Sequence, residues 1–294
     1  FLQGQIKEAE QLVREDKINF AEFDGQIEIV VQLLIGNIYQ AQELCWQKLS
    51  SAAGKVKKTA KLNLLLSNQL LGISPPEKLK QGYLALREEE EKSDLSRLKL
   101  ELRLALMLWE AYYGQGIEFI RQGLKSIADY DNDFLKGNFY LAAGINYCLQ
   151  EKLEKAEKFL KLARNIFFQL ETELHLSSSL IWLALLNFKQ DKKIQFEQVI
   201  ANALRLIKNR ECEYLFLKPT LLGFSDPLLF APLLLTARKK GIKEEYTTKL
   251  LSDLNLSHLK RHPGYSLRVK GLGKFKLYRG REEVKKENWN RKKA

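Results

Sequence analysis

The pattern of apolar and polar positions divides residues 28–208 into long runs of helical character, most of them about four turns long. Short polar or glycine-bearing breaks separate them at Gly36-Asn37, Gly72 to Pro76, Gly114-Gln115, Gln150 to Lys152 and Gln190 to Lys193. Their spacing of roughly 36 to 42 residues is that of solenoids built from helix pairs. The pattern predicts five pairs: 28–35 with 38–50, 53–71 with 75–91, 95–113 with 116–130, 133–149 with 153–170, and 171–189 with 194–208. A partial earlier helix is expected over 1–14. No proline lies in 1–74 or 77–218, so no missing backbone donor interrupts a helix in those tracts.

One stretch argues against its neighbours. Leu98-Lys-Leu-Glu-Leu-Arg-Leu-Ala-Leu-Met-Leu108 alternates with period two and alone reads as a strand. It lacks any β-branched residue and is made of strong helix formers, so a helix is expected there too. In the fourth pair, Gly144, Tyr147, Ala156 and Ala163 follow one another at offsets of 3, 9 and 7. That spacing resembles the tetratricopeptide pattern, in which small residues let neighbouring helices approach and the aromatic fills the gap between them. The family's turn glycine is Glu151 here, and the other units keep fewer of the positions. The resemblance implies an all-α, tetratricopeptide-like right-handed superhelix with a concave binding surface.

After Arg210 the repeat gives way to an apolar stretch punctuated by Pro219, Gly223 and Pro227. Helices over 228–240 and 244–255 are expected to cap the solenoid, and His262-Pro-Gly-Tyr265 to form a turn. From Leu267 the odd positions are mostly apolar, and the even ones include Arg268, Lys270, Lys274 and Lys276. This is the pattern of a half-buried strand pair with one basic face, bent at Gly271 and Gly273. A return strand over 282–285 and a helix start at 288–294 complete the expectation, so that a second domain begins here and is cut short. The predicted layout is a helical-repeat sensor or interaction domain over 1–256, a linker over 257–265 and a domain fragment over 266–294.

The run His262-Pro-Gly-Tyr-Ser-Leu-Arg-Val-Lys-Gly-Leu-Gly-Lys-Phe-Lys-Leu-Tyr-Arg-Gly280, with Trp289-x-Arg-x-Lys-Ala294 after it, resembles the opening of the winged-helix DNA-binding domain of antibiotic-regulatory-protein (SARP) activators. Tyr214-Leu-Phe-Leu, Leu233 to Gly241 and Tyr246 with Leu250-Leu251 are similar to the end of the helical-repeat sensor region in large activators related to the maltose regulator MalT. The resemblance implies a bacterial transcriptional activator in which the repeat senses a signal and a C-terminal domain binds DNA. No phosphate-binding loop and no recognition helix are present, so nucleotide switching and base reading would belong to a larger protein.

Charge sharpens the division. Of 48 basic and 36 acidic residues, 13 and 3 fall in 260–294, which leaves a body of about +2 and a basic end of +10. A protein that coats nucleic acid over its whole surface is excluded. Cys45, Cys148 and Cys212 are far apart and form no CxxC pair, which fits buried thiols in a reducing cytoplasm. The charge-free stretches are shorter than the roughly 20 residues a membrane span needs, and a soluble chain is expected. The Phe1 start without a signal segment suggests a piece of a longer protein.

No catalytic or metal constellation emerges, and no cofactor is expected. His175, His258 and His262 have no partner at ligand or nucleophile spacing, and the run from Glu88 to Glu91 reads as a solvated helix end. The first helices of the pairs offer Asn63, Ser67, Trp109, Tyr112, Tyr113, Tyr140, Asn146 and Trp182 to a small-molecule inducer or a protein or peptide partner in the concave surface. Arg268, Lys270, Lys274, Lys276, Arg291, Lys292 and Lys293 are the candidates for DNA phosphates; the competing expectation is that the strand bases form the wet face of an edge sheet. Self-association is a further expectation. The alternative to a sensor is a stand-alone tetratricopeptide-like adaptor whose basic tail binds nucleic acid or acidic partners.

Overall fold

A computed structural model of the chain describes residues 26–90, 97–113, 116–223, 226–271, 275–280 and 282–285. The helix expected over 1–14 and the helix start at 288–294 lie outside the described residues, as do Glu91, Gly114 and Gln115. The described chain is mostly helical and follows the predicted pairing. α1 (Gln26–Leu34) pairs with α2 (Ile38–Ser51), α3 (Gly54–Leu71) with α4 (Pro76–Glu90), and α5 (Arg97–Tyr113) with α6 (Glu118–Ile127). α7 (Asp133–Leu149) pairs with α8 (Leu153–Gln169), and α9 (Glu173–Lys189) with α10 (Lys193–Arg210). Each helix packs on the next from α1 to α10, as a helical repeat requires. No helix among the described residues is long and apolar enough to cross a membrane.

The turns after α7 to α10 share one geometry. Glu151, Glu171, Asp191 and Glu211 each adopt a left-handed φ between 51° and 58°. The residue that follows donates its N–H back into the helix: Lys152 to Tyr147 O at 2.8 Å, Thr172 to Phe167 O at 3.0 Å, Lys192 to Asn187 O at 2.9 Å and Cys212 to Ile207 O at 3.0 Å. This closure is usually given to glycine, because a side chain there costs about 1–2 kcal/mol. The repeat therefore continues through Glu151 without the glycine that its family pattern leads one to expect.

The small residues of the fourth pair do what their spacing predicts. Ala156 and Ala163 are fully buried, and a Cβ added at Gly144 would stand 2.6 Å from Leu160 Cγ, so α7 and α8 are in direct backbone-to-side-chain contact. Tyr147 stacks on Phe159 with ring centroids 5.6 Å apart. α5 resolves the period-two puzzle. Leu98, Leu102, Leu106 and Trp109 enter one hydrophobic cluster, shared with α1 to α4. Leu100, Met107, Ala111 and Tyr112 enter the larger cluster, which runs on through the later pairs. Two helical stripes on nearly opposite faces, interleaved along the sequence, look like strand alternation.

The C-terminal third holds the least regular part. A single turn, α11 (Tyr214–Leu217), is followed over 218–223 by a stretch without regular structure, and a 3-10 turn spans Pro227–Phe230. α12 (Ala231–Lys239) and α13 (Glu244–Asp253) follow as the expected helical cap. Residues 257–265, expected as a linker, are held against the cap. Arg238 donates to the carbonyls of Ser257 at 2.8 Å and Leu259 at 2.6 Å. Gly264, at φ 84°, fits where a Cβ would come 3.3 Å from Pro232 Cγ. β1 (Leu267–Lys270), β2 (Lys276–Arg279) and β3 (Glu282–Glu283) then form a three-stranded antiparallel sheet in the order β1-β2-β3. Arg268 pairs with Tyr278 and Lys270 with Lys276 across the first ladder.

Candidate functional site

Of the first helices of the pairs, α3, α5, α7 and α9 carry the eight residues proposed for a ligand surface, and most of those side chains are committed inside the protein. Asn63 and Ser67 do share a face of α3, but both are buried and the Ser67 hydroxyl donates to Asn63 O at 2.8 Å. Trp109 is buried, donates its indole N–H to Pro76 O at 2.9 Å and meets Phe119 edge-on at 6.2 Å. The ammonium of Lys80 lies 5.1 Å from the Trp109 ring centroid. Tyr113 is half-buried and donates to Gln69 O at 3.2 Å. Tyr140, also half-buried, packs on Phe159 at 5.9 Å. Asn146 is fully buried with its carbonyl accepting from Gln150 at 2.8 Å, and its amide nitrogen has no partner among the described residues.

The remaining two, Tyr112 and Trp182, identify what covers this face. Tyr112 donates to Gly223 O at 2.7 Å, and Trp182 meets Phe230 edge-on at 5.3 Å. Ser178, one turn before Trp182 on α9, donates to Leu222 O. Leu221 N–H reaches Leu33 O of α1 at 3.4 Å, and Lys218 Nζ reaches Asn37 Oδ1 at 3.3 Å. At the α1–α2 turn, Gly36 has φ 76° and a Cβ there would lie 2.8 Å from Lys218 Cβ. Residues 215–223 thus lie across first helices from three different pairs. The expected open surface is corrected at these points: it is filled by the chain's own apolar segment. The cause is legible in its chemistry, since Leu215, Phe216 and Leu222 are buried there and would otherwise face water. It also explains why every residue of α9 from Leu174 to Asn187 is buried, a pattern that needs cover on all sides.

Two residues that pattern reading did not single out organise the junction with the sheet. Thr220 Oγ1 accepts from Gly223 N–H at 2.9 Å and turns the segment. The Asp226 carboxylate accepts from Leu228 N–H at 3.1 Å and, through its other oxygen, from both the N–H and the hydroxyl of Ser266 at 3.0 Å. The signal available was an apolar stretch with Pro219, Gly223 and Pro227, too hydrophobic for a solvent loop, together with the Ser177-Ser178-Ser179 run inside an apolar helix.

The sheet departs from its expected half-burial. Arg268 and Lys270 are exposed, but so are Leu267 at 68%, Val269 at 58% and Phe275 at 59%. That apolar side is left largely exposed among the described residues, and the body reaches the sheet at Ser266 and Gly280. Arg268 and Lys270 both lie over the Tyr278 ring, 4.7 and 5.7 Å from its centroid. Lys276 is half-buried and paired with Glu283 at 2.7 Å, which raises its pKa. A cavity of about 230 Å³ opens between body and sheet, lined by Leu70, Leu71, Pro219, Asp226, Ser266, Arg268 and Gly280. Lys274, Arg291, Lys292 and Lys293 lie outside the described residues.

The titratable groups elsewhere have structural surroundings. His175 is packed between Phe134 at 4.8 Å and Phe167 at 5.0 Å, and burial holds its imidazole down at about 3. His262 Nδ1 accepts from Gly264 N–H at 3.1 Å and shapes the turn. Burial pushes the thiols of Cys45 and Cys148 up to about 12. Hydrogen bonds from Lys161 and Lys192 hold Glu157 down at about 2 and tie α8 to the α9–α10 turn. Glu90 of the acidic run is buried against Lys58 at 2.6 Å. Among the described residues no three His, Cys, Asp or Glu side chains gather as metal ligands would. Set against known proteins, the chain matches no family model and no curated sequence.

Proposed function

We propose that the helical body is the signal-sensing and coupling domain of a bacterial transcription activator, and that the sheet opens its DNA-binding domain. The observation that supports this reading is the junction beside the helices: Gly223 is bonded by Tyr112 of the body, and Asp226, three positions on in sequence, holds the stem of the basic sheet. A body that responds to an inducer or a peptide needs a contact with its output, and this is one. Arg268 and Lys270, exposed on one side of the sheet, suit phosphate contacts that add affinity without reading sequence. The protein would work in the cytoplasm, and self-association through the helical body is compatible with it.

The test is deletion of residues 1–255 from the full gene product, followed by promoter binding and reporter output with and without inducer. Loss of inducer response with DNA binding retained is expected. Unchanged inducer response and unchanged autoinhibition in the deletion would overturn the assignment.

A further inference from the structure

The cavity of about 230 Å³ between body and sheet has two unlike walls. One is apolar, made by Leu70 and Leu71 at the C-terminal end of α3 and by Pro219. The other is polar, made by Asp226, Ser266 and Arg268. The volume is below the roughly 300 Å³ at which pockets for drug-sized molecules begin, so it suits something smaller. Arg268 is an uncommitted cation: its guanidinium lies 4.7 Å from the Tyr278 ring centroid and makes no ion pair or side-chain hydrogen bond among the described residues. The ring holds the group in place and leaves its N–H donors for an oxyanion. Asp226 is a partly used acceptor. Its Oδ1 takes Leu228 N–H at 3.1 Å, and its Oδ2 takes the N–H and the hydroxyl of Ser266, both at 3.0 Å. A carboxylate has about four acceptor positions, so one remains on Oδ1. The Ser266 hydroxyl beside it accepts no hydrogen bond among the described residues.

An anion alone would face the Asp226 carboxylate, and a cation alone would face the Arg268 guanidinium. A molecule that carries both charges satisfies both groups. We propose that this cavity binds a free α-amino acid with an apolar side chain. Arg268 holds its carboxylate, Asp226 and Ser266 hold its ammonium, and its side chain lies against Leu70, Leu71 and Pro219. The bound molecule touches the body and β1 together, so it favours the docked sheet, and docking in turn raises its affinity. Identifying that molecule with the inducer rests on the activator reading, whereas the binding itself does not.

The test is isothermal titration calorimetry of the chain without DNA. Leucine is compared with isoamylamine, which lacks its carboxylate, and with isocaproate, which lacks its ammonium. Leucine is expected to bind about tenfold or more tightly than either, because each analogue loses a charge-assisted hydrogen bond. Alanine should bind more weakly than leucine, since it leaves the apolar wall uncovered. In Arg268→Gln the advantage of leucine over isoamylamine should vanish, while its advantage over isocaproate remains. Three results would each overturn the proposal: no binding of leucine, valine or methionine at millimolar concentration, an analogue that binds as tightly as leucine, or a preference for leucine over isoamylamine that survives in Arg268→Gln. The comparison of ligands uses the unaltered protein, so it decides even where the substitution disturbs the sheet. Failure here leaves the activator assignment to the deletion experiment, and failure there leaves this site standing.

Discussion

His175 is a basic side chain kept neutral by its surroundings. Phe134 and Phe167 flank the ring, its Nδ1 has no hydrogen-bond partner among the described residues, and burial holds its pKa at about 3 against an ordinary 6.5. Between those values the unfolded chain takes up a proton that the folded chain refuses. Stability is therefore complete above pH 6.5 and is lost as the pH falls toward 3. Replacing His175 by Phe should remove that slope. Urea unfolding at pH 7 and pH 5 should show the unaltered protein losing roughly 2 kcal/mol more than the variant over this interval. Equal losses in the two proteins would mean that the imidazole is protonated in the folded state. The sequence showed only a histidine without ligand partners, and the aromatic pair that encloses it comes from α7 and α8, brought together by folding.

Elements were legible where periodicity alone fixes them. Break residues and apolar spacing located each pair, and at Glu151 the pattern held although its glycine was absent, because the closing hydrogen bonds outweigh one left-handed side chain. The alternation in α5 was harder to read, since two buried stripes on one helix produce it and only the neighbouring helices reveal them. What holds α6 in place was not legible either. Its first N–H groups have no helical partners, and the buried Glu110 carboxylate of α5 accepts from Glu118 at 2.8 Å, Phe119 at 3.3 Å and Ile120 at 3.1 Å. Replacing Glu110 by Ala should cost about 2–3 kcal/mol in urea unfolding, because three donors lose a charged acceptor. A cost below about 0.5 kcal/mol would show that water or another group satisfies that helix end.

At the scale of the whole molecule, apolar pattern identifies which residues are buried and leaves open what covers them. Tyr112 and Trp182 carry side chains that suit a ligand surface, yet they meet Gly223 and Phe230, 111 and 48 positions away in sequence. The segment over 215–223 lacks a period to recognise, so its place is set only by the three-dimensional meeting of α1, α5 and α9. The basic end read from charge is present, but its strands meet the body at Ser266 and Gly280 and leave Leu267, Val269 and Phe275 exposed. The central claim is that the chain itself already occupies the face that a repeat protein would offer to a ligand. Amide hydrogen exchange of the unaltered chain tests it most directly. Peptides spanning 215–223 should exchange as slowly as those of α9, although the stretch after Leu217 has no regular secondary structure; exchange of that stretch at the rate of an open loop would contradict it.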